Sequence, residues 1–597
     1  ALKICLKNIK DQFKNRKISI VFGCGGDRDK FKRPLMGKIA NDYCDKIYLT
    51  DDNPRNENPN KIRHSIKKKI YDSKLYNISN REDAIKQAIE NLSAGEVLVV
   101  AGKGHETTQD YGSYKKNFSD KNCILKYIKK KNKILNNDLK FNIIKETSNN
   151  VSLSLKSKIR KASINSKEIK KNDVFFAIRG KNKDGNKFVD EALKKGACLA
   201  IVNRFDKSQH KTKQLKVKNT LDFLTKTSQI IRQNSFSKII AITGSCGKTS
   251  LKELLKETLN KFGKASCSPK SFNNKFGVPL SLFNLNLTDD YGVFEVGMDK
   301  KGEIDSLSKI IKPDIGIITN ISFAHFRNFK NIRQIAMAKA EIINNVNSGG
   351  SIILNADDHF FNLHKKIAQR KKLKIISFSM NKKTDIHLKS IKKEKQKFKI
   401  SIIINNKNKI FYTYNNFTNF IKNLLGVVSI ISVFKDPTKL NENIFLNFIT
   451  PVGRGDISKI KINRKIINLV DESYNSNPLS LKSAIENFDS IKTNRKKHIV
   501  LGDMLELGNH SDSLHRKITP ILNSSKIHKI NILGNKIKET FKNISPSKKG
   551  LILKESNEII DLIKNKLNNN DYLMIKGSNS TGLNKFTNQL KKNNNAI

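Results

Sequence analysis

The segment at residues 239–255 constrains the fold of this chain more than any other feature. It opens with Ile-Ile-Ala-Ile-Thr (239–243), a run that is typical of a buried strand. The loop Gly244-Ser245-Cys246-Gly247-Lys248-Thr249 follows, and residues 250–255 have a helical pattern. A strand, a glycine turn and a helix in this order bind phosphate, because backbone N–H groups and the helix N-terminus attract anions. We therefore expect Lys248 to reach nucleotide phosphates and Thr249 to bind Mg²⁺.

The loop is shorter than the usual Gly-x-x-x-x-Gly-Lys-Thr pattern. The alternative to a phosphate-binding loop is a glycine turn followed by a chance Lys-Thr pair. The strand before it and the helix after it favour the phosphate-binding interpretation. The loop indicates a nucleotide but does not specify a reaction.

Three residues downstream suggest metal chemistry. Glu295 lies inside the apolar run 293–297, where an unpaired carboxylate is costly unless it binds a cation. His325 follows another strand-like run, and Lys339 lies in a helix-like segment. An acid, an imidazole and a threonine hydroxyl beside phosphate oxygens would form a shell of ligands for Mg²⁺. The alternatives are a capping acid, a surface histidine and a solvated lysine.

Composition limits the class of protein. The 597 residues carry a net charge of +60, which raises the possibility of nucleic-acid binding. The lysines are spread along the whole chain and accompany many Asn, Ile and Phe, so we interpret the charge as compositional drift and expect no nucleic-acid partner.

Seven scattered cysteines without a C-x-x-C pair favour a reducing compartment. The apolar stretch 424–434 is too short to span a membrane and is expected to be a buried helix, so we predict no membrane insertion.

Strand and helix patterns alternate through most of the chain, which predicts a multidomain α/β fold with parallel sheets. We expect a central phosphate-loop ATPase domain at 237–455 and Rossmann-like C-terminal domains. The other predicted segments are a first domain (1–120), a Lys/Asn-rich linker (121–145), a small α/β domain (146–236) and a C-terminal domain (456–597) that ends in a frayed tail.

Ordered motifs from residue 150 to 590 resemble those of the Mur ligases. The short phosphate loop at 243–249 matches the form of the loop in that family. The other matching segments are 172–180 (Asn-Asp-Val-Phe-Phe-Ala-Ile-Arg-Gly), 273–279 (Asn-Asn-Lys-Phe-Gly-Val-Pro), 295–298 (Glu-Val-Gly-Met), 338–342 (Ala-Lys-Ala-Glu-Ile), 471–478 (Asp-Glu-Ser-Tyr-Asn-Ser-Asn-Pro), 501–508 (Leu-Gly-Asp-Met-Leu-Glu-Leu-Gly) and 576–578 (Lys-Gly-Ser).

The resemblance implies an enzyme that uses ATP and Mg²⁺ to join D-Ala-D-Ala to UDP-MurNAc-tripeptide through an acyl phosphate. It implies catalytic roles for Lys248, Glu295, His325 and Lys339, the last as a carbamylated lysine. It also implies metal binding by Thr249, Glu295, His325 and Lys339. The resemblance further implies that ATP is bound by residues 244–249 together with Asn423, Arg454 and Glu472. It implies that the UDP-substrate is bound by Ser166, Asn273 and Asn274.

The sequence departs from the family pattern at several contacts. Glu472 replaces an aspartate, and Asn419 replaces a histidine. Asn165-Ser166-Lys167 stands where Asp-Ser-Arg is common, and Asp184-Gly185-Asn186 where Asp-Gly-His is common. These changes affect nucleotide and uridine contacts and leave the phosphate and metal residues in place.

The first 120 residues resemble the C-terminal domain of a diaminopimelate-adding Mur ligase. The matching segments are 23–37, 51–55 (Asp-Asp-Asn-Pro-Arg) and 101–106 (Ala-Gly-Lys-Gly-His-Glu). Arginine grips carboxylates and glutamate pairs with ammonium groups, which suits a zwitterionic ligand. The diaminopimelate-binding residues implied are Arg28, Asp52, Asn53, Arg55, Gly102 and Glu106.

No phosphate loop precedes this first domain in the sequence, so either the chain is truncated from a longer fusion of two consecutive ligases or the domain is a leftover appendage. The start on Ala1 and the strand-like run close behind it favour truncation, which is the expectation we adopt. We also expect a cytoplasmic monomer. The alternatives are a folylpolyglutamate-type synthetase, which the motifs at 273–279 and 471–478 disfavour, and a non-catalytic basic binding protein that kept the fold.

Overall fold

The computed structural model describes residues 1–13, 16–93, 95–150, 153, 155, 158–180, 183–205, 211–286 and 288–593. The chain divides into two compact units, Ala1–Leu139 and Lys140–Ile597.

The first unit is built on a four-stranded parallel sheet with the order β3-β2-β1-β4. Its strands are β1 (Ile18–Phe22), β2 (Lys46–Leu49), β3 (Leu75–Asn77) and β4 (Val97–Val100), and β5 (Thr108–Asp110) pairs with β6 (Lys115–Asn117) in a hairpin. All five residues of β1 are buried, as its apolar sequence predicts. The helices are Leu2–Gln12, Lys32–Tyr43, Pro59–Lys67, Arg81–Glu90 and Asp120–Thr147.

The last of these helices covers the segment that we predicted as a linker. It begins at Asp120 in the first unit and ends at Thr147 in the second. The connecting segment is therefore regular secondary structure, and the domain boundaries that we placed at 120 and 145 remain predictions.

The second unit begins with a small parallel sheet of order β10-β9-β8-β7. The segment 172–180 contributes its strand β8, which is fully buried. The strands are β7 (Ala162–Ser163), β8 (Val174–Phe176), β9 (Leu199–Val202) and β10 (Gln214–Lys216), and the helices are Val189–Lys194 and Thr220–Gln233.

A nine-stranded sheet follows, with the order β12-β13-β11-β14-β15-β16-β17-β18-β19. Strand β11 lies between β13 and β14, so the phosphate loop leaves the interior of the sheet. Its strands are β11 (Lys238–Thr243), β12 (Ala265–Cys267), β13 (Tyr291–Glu295), β14 (Ile315–Ile318), β15 (Ser351–Asn355), β16 (Lys374–Ser379), β17 (Ile386–Glu394), β18 (Lys397–Ile404) and β19 (Lys407–Thr413). The helices are Lys248–Leu259, Gly277–Phe283, Glu303–Ile311, Ile332–Asn344, Phe361–Arg370 and Thr418–Ile431.

The last sheet has the order β20-β21-β25-β22-β23-β24, and its strands are parallel except for the β20–β21 hairpin. Its strands are β20 (Asp456–Ile462), β21 (Lys465–Glu472), β22 (Lys497–Gly502), β23 (Lys529–Leu533), β24 (Lys549–Leu553) and β25 (Tyr572–Lys576). The helices are Pro478–Asp489, Ser511–Arg516, Thr519–Ser524, Lys538–Lys542, Glu558–Lys566 and Leu583–Asn593.

The predicted α/β multidomain fold is confirmed by these sheets. The apolar stretch 424–434 overlaps the buried helix Thr418–Ile431, as expected. No helix within the described residues is both long and apolar enough to cross a bilayer. The helix Leu583–Asn593 extends far into the Lys/Asn-rich tail that we expected to be frayed, and residues 594–597 lie outside the described part of the chain.

Candidate active site

The phosphate loop connects the carboxyl end of β11 to the helix Lys248–Leu259. Gly244 (φ 146°) and Gly247 (φ 83°) adopt backbone angles that other residues rarely tolerate, and a Cβ atom on Gly244 would collide with Thr319 Oγ1. The Lys248 ammonium donates a hydrogen bond to the Gly244 carbonyl oxygen at 2.8 Å. Burial lowers the pKa of Lys248. The loop thus curls around its own lysine at a helix N-terminus, a geometry that suits phosphate.

Glu295, the last residue of β13, lies beside the loop and is only 2% exposed. Its Oε2 atom accepts a hydrogen bond from the Thr249 hydroxyl at 2.7 Å, and its Oε1 atom accepts one from the Asn273 side-chain amide at 2.8 Å. Among the described residues, no Lys, Arg or His lies within ion-pairing distance of Glu295. A buried carboxylate with only neutral partners favours a bound cation.

Lys339 projects from the helix Ile332–Asn344 and is 2% exposed. Burial, and then the nearby Lys248 charge, lower its pKa well below the ordinary value of 10.5. Within the described residues its ammonium has no hydrogen bond and no ion pair. A buried lysine in this state favours the neutral amine, which is the form that reacts with CO₂ to give a carbamate.

His325 adopts a left-handed conformation (φ 56°) at the start of a short turn. Its Nδ1 atom lies 2.6 Å from Glu506 Oε2 and 3.6 Å from Asp299 Oδ1. The close contact with the His325 imidazole lowers the pKa of Glu506. Glu506 therefore orients the imidazole and leaves Nε2 available to a ligand. Together, Asp299, His325 and Glu506 have ligand atoms within 4.8 Å of one another, so they are also a possible cation site.

The segment 451–478 contributes a second wall to the site. Arg454 donates a hydrogen bond to Ser271 Oγ at 3.3 Å, and its guanidinium lies 4.3 Å from the centre of the Tyr474 ring. The Tyr474 hydroxyl also donates to Ser271 Oγ, at 2.9 Å. Ser271 Oγ lies 3.2 Å from Thr249 Oγ1. One serine thus connects this segment to the hydroxyl that was predicted to bind Mg²⁺.

One further contact joins the phosphate loop to the segment 471–478, and a second holds Glu472 of that segment to the neighbouring strand of the last sheet. Cys246 Sγ lies 3.2 Å from both polar atoms of the Asn477 side chain. Burial raises the pKa of Cys246, so the thiol stays protonated. Glu472 Oε2 accepts a hydrogen bond from the buried Lys576 at 3.2 Å. The loop of residues 471–478 is therefore held against the nucleotide-binding loop.

These groups surround one cavity of about 700 Å³. Nearly all of the predicted site residues of the second unit line it. They are Gly244, Ser245, Cys246, Gly247, Lys248, Thr249, Asn273, Asn274, Glu295, His325, Lys339, Asn423, Arg454 and Glu472.

Ser166 is the exception. It is buried, does not line this cavity, and donates its hydroxyl hydrogen bond to Glu191 Oε2 at 2.8 Å. Its predicted contact with the UDP-substrate remains a prediction.

The first unit has a separate cluster at the carboxyl ends of its strands. The loops that follow β1, β2 and β4 contact one another there. The Gly26 N–H donates to the Asn53 carbonyl oxygen at 2.8 Å, and Arg55 donates to the Gly26 carbonyl oxygen at 2.5 Å. The Asn53 side-chain amide donates to Glu106 Oε2 at 2.9 Å. These contacts bring together three of the six residues predicted here, Asn53, Arg55 and Glu106. Asp52 and Gly102 are also neighbours, because a Cβ atom on Gly102 would lie 2.9 Å from Asp52 Oδ2. The structure thus brings together five of the six.

Arg28, the sixth predicted residue, lies in the loop after β1. Its guanidinium is exposed and has no hydrogen bond or ion pair within the described residues. It is close to Gly25, whose added Cβ atom would contact both the Arg55 guanidinium and the Arg28 side chain.

Family models match most of the chain. The Mur ligase middle domain matches residues 242–430, and the Mur ligase family catalytic domain matches 158–232. The model of the Mur ligase glutamate ligase domain matches twice, at 1–104 and 459–579. A UDP-N-acetylmuramoyl-tripeptide–D-alanyl-D-alanine ligase of Rickettsia prowazekii is 32% identical over 426 residues, which is 71% of this chain and 93% of that protein. The chain belongs to the Mur ligase family.

Two other similarities cover different parts of this Mur ligase. A UDP-N-acetylmuramoyl-L-alanyl-D-glutamate–2,6-diaminopimelate ligase of Rickettsia rickettsii is 51% identical over 124 residues, which is 21% of this chain and 26% of that protein. The crystal structure of MurF ligase from Thermotoga maritima in complex with ADP matches with a TM-score of 0.61 and 24% identity, and covers 73% of this chain and 98% of that one. This structural match supports the fold.

Several residues that line the cavity of this Mur ligase were not predicted from its sequence. Ser271, Asp299, Tyr474, Asn477, Glu506 and Lys576 line the cavity, although no site role was assigned to them. Tyr474, Asn477, Glu506 and Lys576 lie inside segments that carried the family resemblance, so their motif positions were a usable signal. Ser271 and Asp299 flank such segments, and only the tertiary contacts identify them.

Proposed function

We propose that residues 140–597 form an ATP-dependent ligase that joins D-Ala-D-Ala to UDP-MurNAc-tripeptide. The cavity carries this proposal, because it places the phosphate loop, the Thr249–Glu295 pair, Lys339 and Arg454 around one space. The proposed substrates are those in the name of the R. prowazekii relative. A volume of about 700 Å³ is in the range of ordinary ligand sites, so it suits the reacting ends of the substrates.

In the first step, an oxygen of the tripeptide carboxylate forms a bond to the γ-phosphorus of ATP, and the bond between that phosphorus and the β–γ bridging oxygen breaks. ADP leaves, and an acyl phosphate remains. Lys248 and Arg454 approach the phosphates from opposite walls and neutralise their charge as it shifts. Positioning and charge neutralisation account for most of the catalysis of such transfers.

In the second step, the amine of D-Ala-D-Ala attacks the acyl carbon, and the carbon–oxygen bond to phosphate breaks after a tetrahedral intermediate. The amine loses a proton, and phosphate leaves. Because the acyl phosphate also reacts with water, the contacts of Ser271 and Asn477 that close the cavity protect it from hydrolysis.

The residues present fit Mg²⁺. The hydroxyl of Thr249, the buried carboxylate of Glu295, the imidazole Nε2 of His325 and a carbamylated Lys339 would hold it, and these oxygen and nitrogen ligands suit a hard cation. When bound, Mg²⁺ supplies positive charge to the phosphate oxygens. The neutral hydrogen-bond partners of Glu295 and the lowered pKa of Lys339 support this assignment.

Phosphate release with ATP, UDP-MurNAc-tripeptide and D-Ala-D-Ala tests the ligase proposal. We expect release to depend on all three substrates and to be abolished in Lys248→Ala. A control variant, Lys330→Ala, changes an exposed lysine outside the cavity and should retain full activity. Release that is unchanged on adding the dipeptide would contradict the proposal.

We further propose that the first unit recognises diaminopimelate. The match of residues 1–104 to a Mur ligase domain model and the name of the R. rickettsii relative support this. Arg28 and Arg55 suit the carboxylates, and Glu106 suits an ammonium group. Titration calorimetry of the whole chain with diaminopimelate tests it. Glu106→Gln should weaken binding about tenfold or more, since it removes a charge-assisted contact, and lysine should bind more weakly than diaminopimelate.

The location and the oligomeric state of the enzyme are also part of the proposal. We place the enzyme in the cytoplasm, where ATP is available, and we expect a monomer. Equilibrium sedimentation across a range of concentrations tests the oligomeric state, and a concentration-dependent mass would contradict the expectation.

A further inference from the structure

We propose that this ligase reads the edge of the nucleobase with side-chain amides that turn either way, so that GTP supports ligation as well as ATP. Asn487, on the helix Pro478–Asp489, is one of the amides that set the choice of base. The inference rests on the proposed use of ATP and extends it to a second purine nucleotide. Transfer of the γ-phosphoryl group from GTP breaks the same bond, and GDP leaves in place of ADP.

A recess opens from the main cavity between the helices Thr418–Ile431 and Pro478–Asp489. The residues that line both spaces are Ser250, Asn419, Asn423, Arg454 and Glu472. The recess lies beside the phosphate loop, because a Cβ atom on Gly247 would lie 3.1 Å from Asn423 Oδ1. Its volume is about 50 Å³, so it admits the edge of a purine rather than the whole base. A nucleotide held by its phosphates at the loop therefore presents its base edge to this recess.

The apolar wall of the recess is aromatic. Phe417, Phe420 and Phe448 line it, and the rings of Phe420 and Phe448 are stacked with their centres 5.9 Å apart. Aromatic side chains stack on any base, because every base has a π face. This wall therefore holds a base without identifying it.

The backbone of the adjoining loop 413–417 identifies no base, because its polar groups bond to one another. The Asn415 N–H donates to Thr413 Oγ1 at 3.0 Å, and the Thr413 hydroxyl donates to the Asn415 carbonyl oxygen at 3.3 Å. The Phe417 N–H donates to Asn415 Oδ1 at 2.9 Å. The Asn415 side chain is thereby left with a donor, which N7 of either purine accepts.

Two charged side chains line the recess, and each contacts another residue. Arg454 donates a hydrogen bond to Ser271, and Glu472 Oε2 accepts one from Lys576. Glu472 Oε1 accepts no hydrogen bond within the described residues. Adenine and guanine both carry an exocyclic amino donor and the N7 acceptor. A carboxylate and a guanidinium therefore do not separate the two purines.

The remaining polar groups of the recess donate and accept equally. Asn419, Asn423 and Asn487 line it, and their side-chain amides have no hydrogen bond within the described part of the chain. A half-turn exchanges the oxygen of an amide for its NH₂ group. The 6-position is a donor in adenine and an acceptor in guanine, so free amides accommodate both. A site whose polar groups are fixed rejects a mismatched ligand about 10⁴-fold, and these amides are not fixed.

Phosphate release by the whole chain with UDP-MurNAc-tripeptide and D-Ala-D-Ala tests this with ATP and with GTP. We expect the two kcat/KM values to lie within about tenfold of each other, the largest effect of one neutral hydrogen bond. A larger preference for ATP would overturn the inference.

Asn487→Asp tests the assigned residue, because it keeps the size of the side chain and leaves a group that only accepts. We expect the ratio of kcat/KM for ATP to that for GTP to change at least about fivefold, since one purine then meets a mismatched group. An increase places Asn487 at the 6-position, and a decrease places it at the N1–H and amino group of guanine. Asn494→Asp, at an exposed asparagine that lines neither space, is the matched control. A ratio that is the same in both variants would overturn the role of Asn487.

Calorimetry of the wild type with ADP and with GDP compares the bases without turnover. We expect dissociation constants within about tenfold of each other. A larger difference, or no binding of either diphosphate, would overturn the inference. Failure to release phosphate with either nucleotide in the presence of both substrates would instead overturn the proposed function, and calorimetry would still decide the choice of base.

Discussion

The hydroxyl of Tyr474 donates a hydrogen bond to Ser271 Oγ at 2.9 Å, although 203 positions separate the two residues in the chain. Ser271 Oγ also lies 3.2 Å from Thr249 Oγ1 and accepts a hydrogen bond from Arg454. The wall of the cavity that carries Arg454 is thus linked to the hydroxyl proposed to bind Mg²⁺. We therefore expect closure of the site and metal binding to be coupled through this serine.

Ser271→Ala should weaken this closure. A neutral hydrogen bond contributes about 0.5–1.5 kcal/mol, so we expect kcat/KM for ATP to fall about two- to tenfold while the thermal midpoint changes little. Tyr474→Phe removes the hydroxyl and keeps the ring against Arg454. The double variant should be no worse than the poorer single variant, because both changes remove the same bond. Losses in kcat/KM that add fully in this double-mutant cycle would contradict the coupling.

Lys339→Met should raise thermal stability while it abolishes activity. The folded state lowers the pKa of Lys339, so the unfolded chain binds more protons at this position below pH 10.5. The contribution of Lys339 to the free energy of unfolding therefore becomes more favourable as pH rises and less favourable as pH falls. The difference in melting temperature between the variant and the wild type should narrow as pH approaches 10.5. A variant less stable than the wild type at neutral pH would contradict this account.

His498 should make the protein sensitive to mild acid. It is 4% exposed and lies 3.7 Å from Asp571, and burial lowers its pKa from 6.5 to about 4. Between these values the unfolded chain takes up a proton and the folded chain does not, so stability falls as pH decreases. The shift corresponds to about 3 kcal/mol. Denaturant melts from pH 7 to 4 measure it. His498→Leu should flatten the profile, whereas the exposed control His359→Leu should leave it unchanged.

Lys591 should be essential to the stability of the cavity wall formed by the segment 451–478. Its ammonium lies 2.6 Å from Asp456 Oδ2 and 2.7 Å from Asp471 Oδ2, and Asp471 is fully buried. Removing one partner of a buried pair costs about 3–5 kcal/mol, because a charge is left uncompensated. We expect Lys591→Met to lower the melting temperature and to raise the KM for ATP. Adding Asp456→Asn should restore part of the stability, and a single variant as stable as the wild type would refute this role.

Local patterns predicted much of the fold and of the candidate site. The strand–loop–helix at 239–255 was evident because a buried strand, a glycine turn and a helix start each leave a short-range signature. Glu295 was recognised because a carboxylate in an apolar strand needs a partner. The structure supplied that partner in Thr249 and Asn273.

The remaining features depend on contacts between distant segments. The Lys/Asn-rich composition of the tail suggested fraying, yet Lys591 is held by two carboxylates more than a hundred positions away. Composition could not reveal this, since an ion pair depends on which distant residues the fold brings within a few ångströms of each other. Similarly, the lysine-rich segment after residue 120 lacked apolar periodicity but is helical up to Thr147.

The sequence alone predicted which residues would bear the chemistry, because phosphate binding, metal ligation and zwitterion recognition each require particular side chains in short ordered motifs. Tertiary structure decided which of them meet. It joined Ser271 to Tyr474 and Arg454, oriented His325 through Glu506, and left Ser166 outside the cavity. The physical reason is that hydrogen bonds and charge pairs act over a few ångströms, whereas the chain sets only the order of the residues that make them.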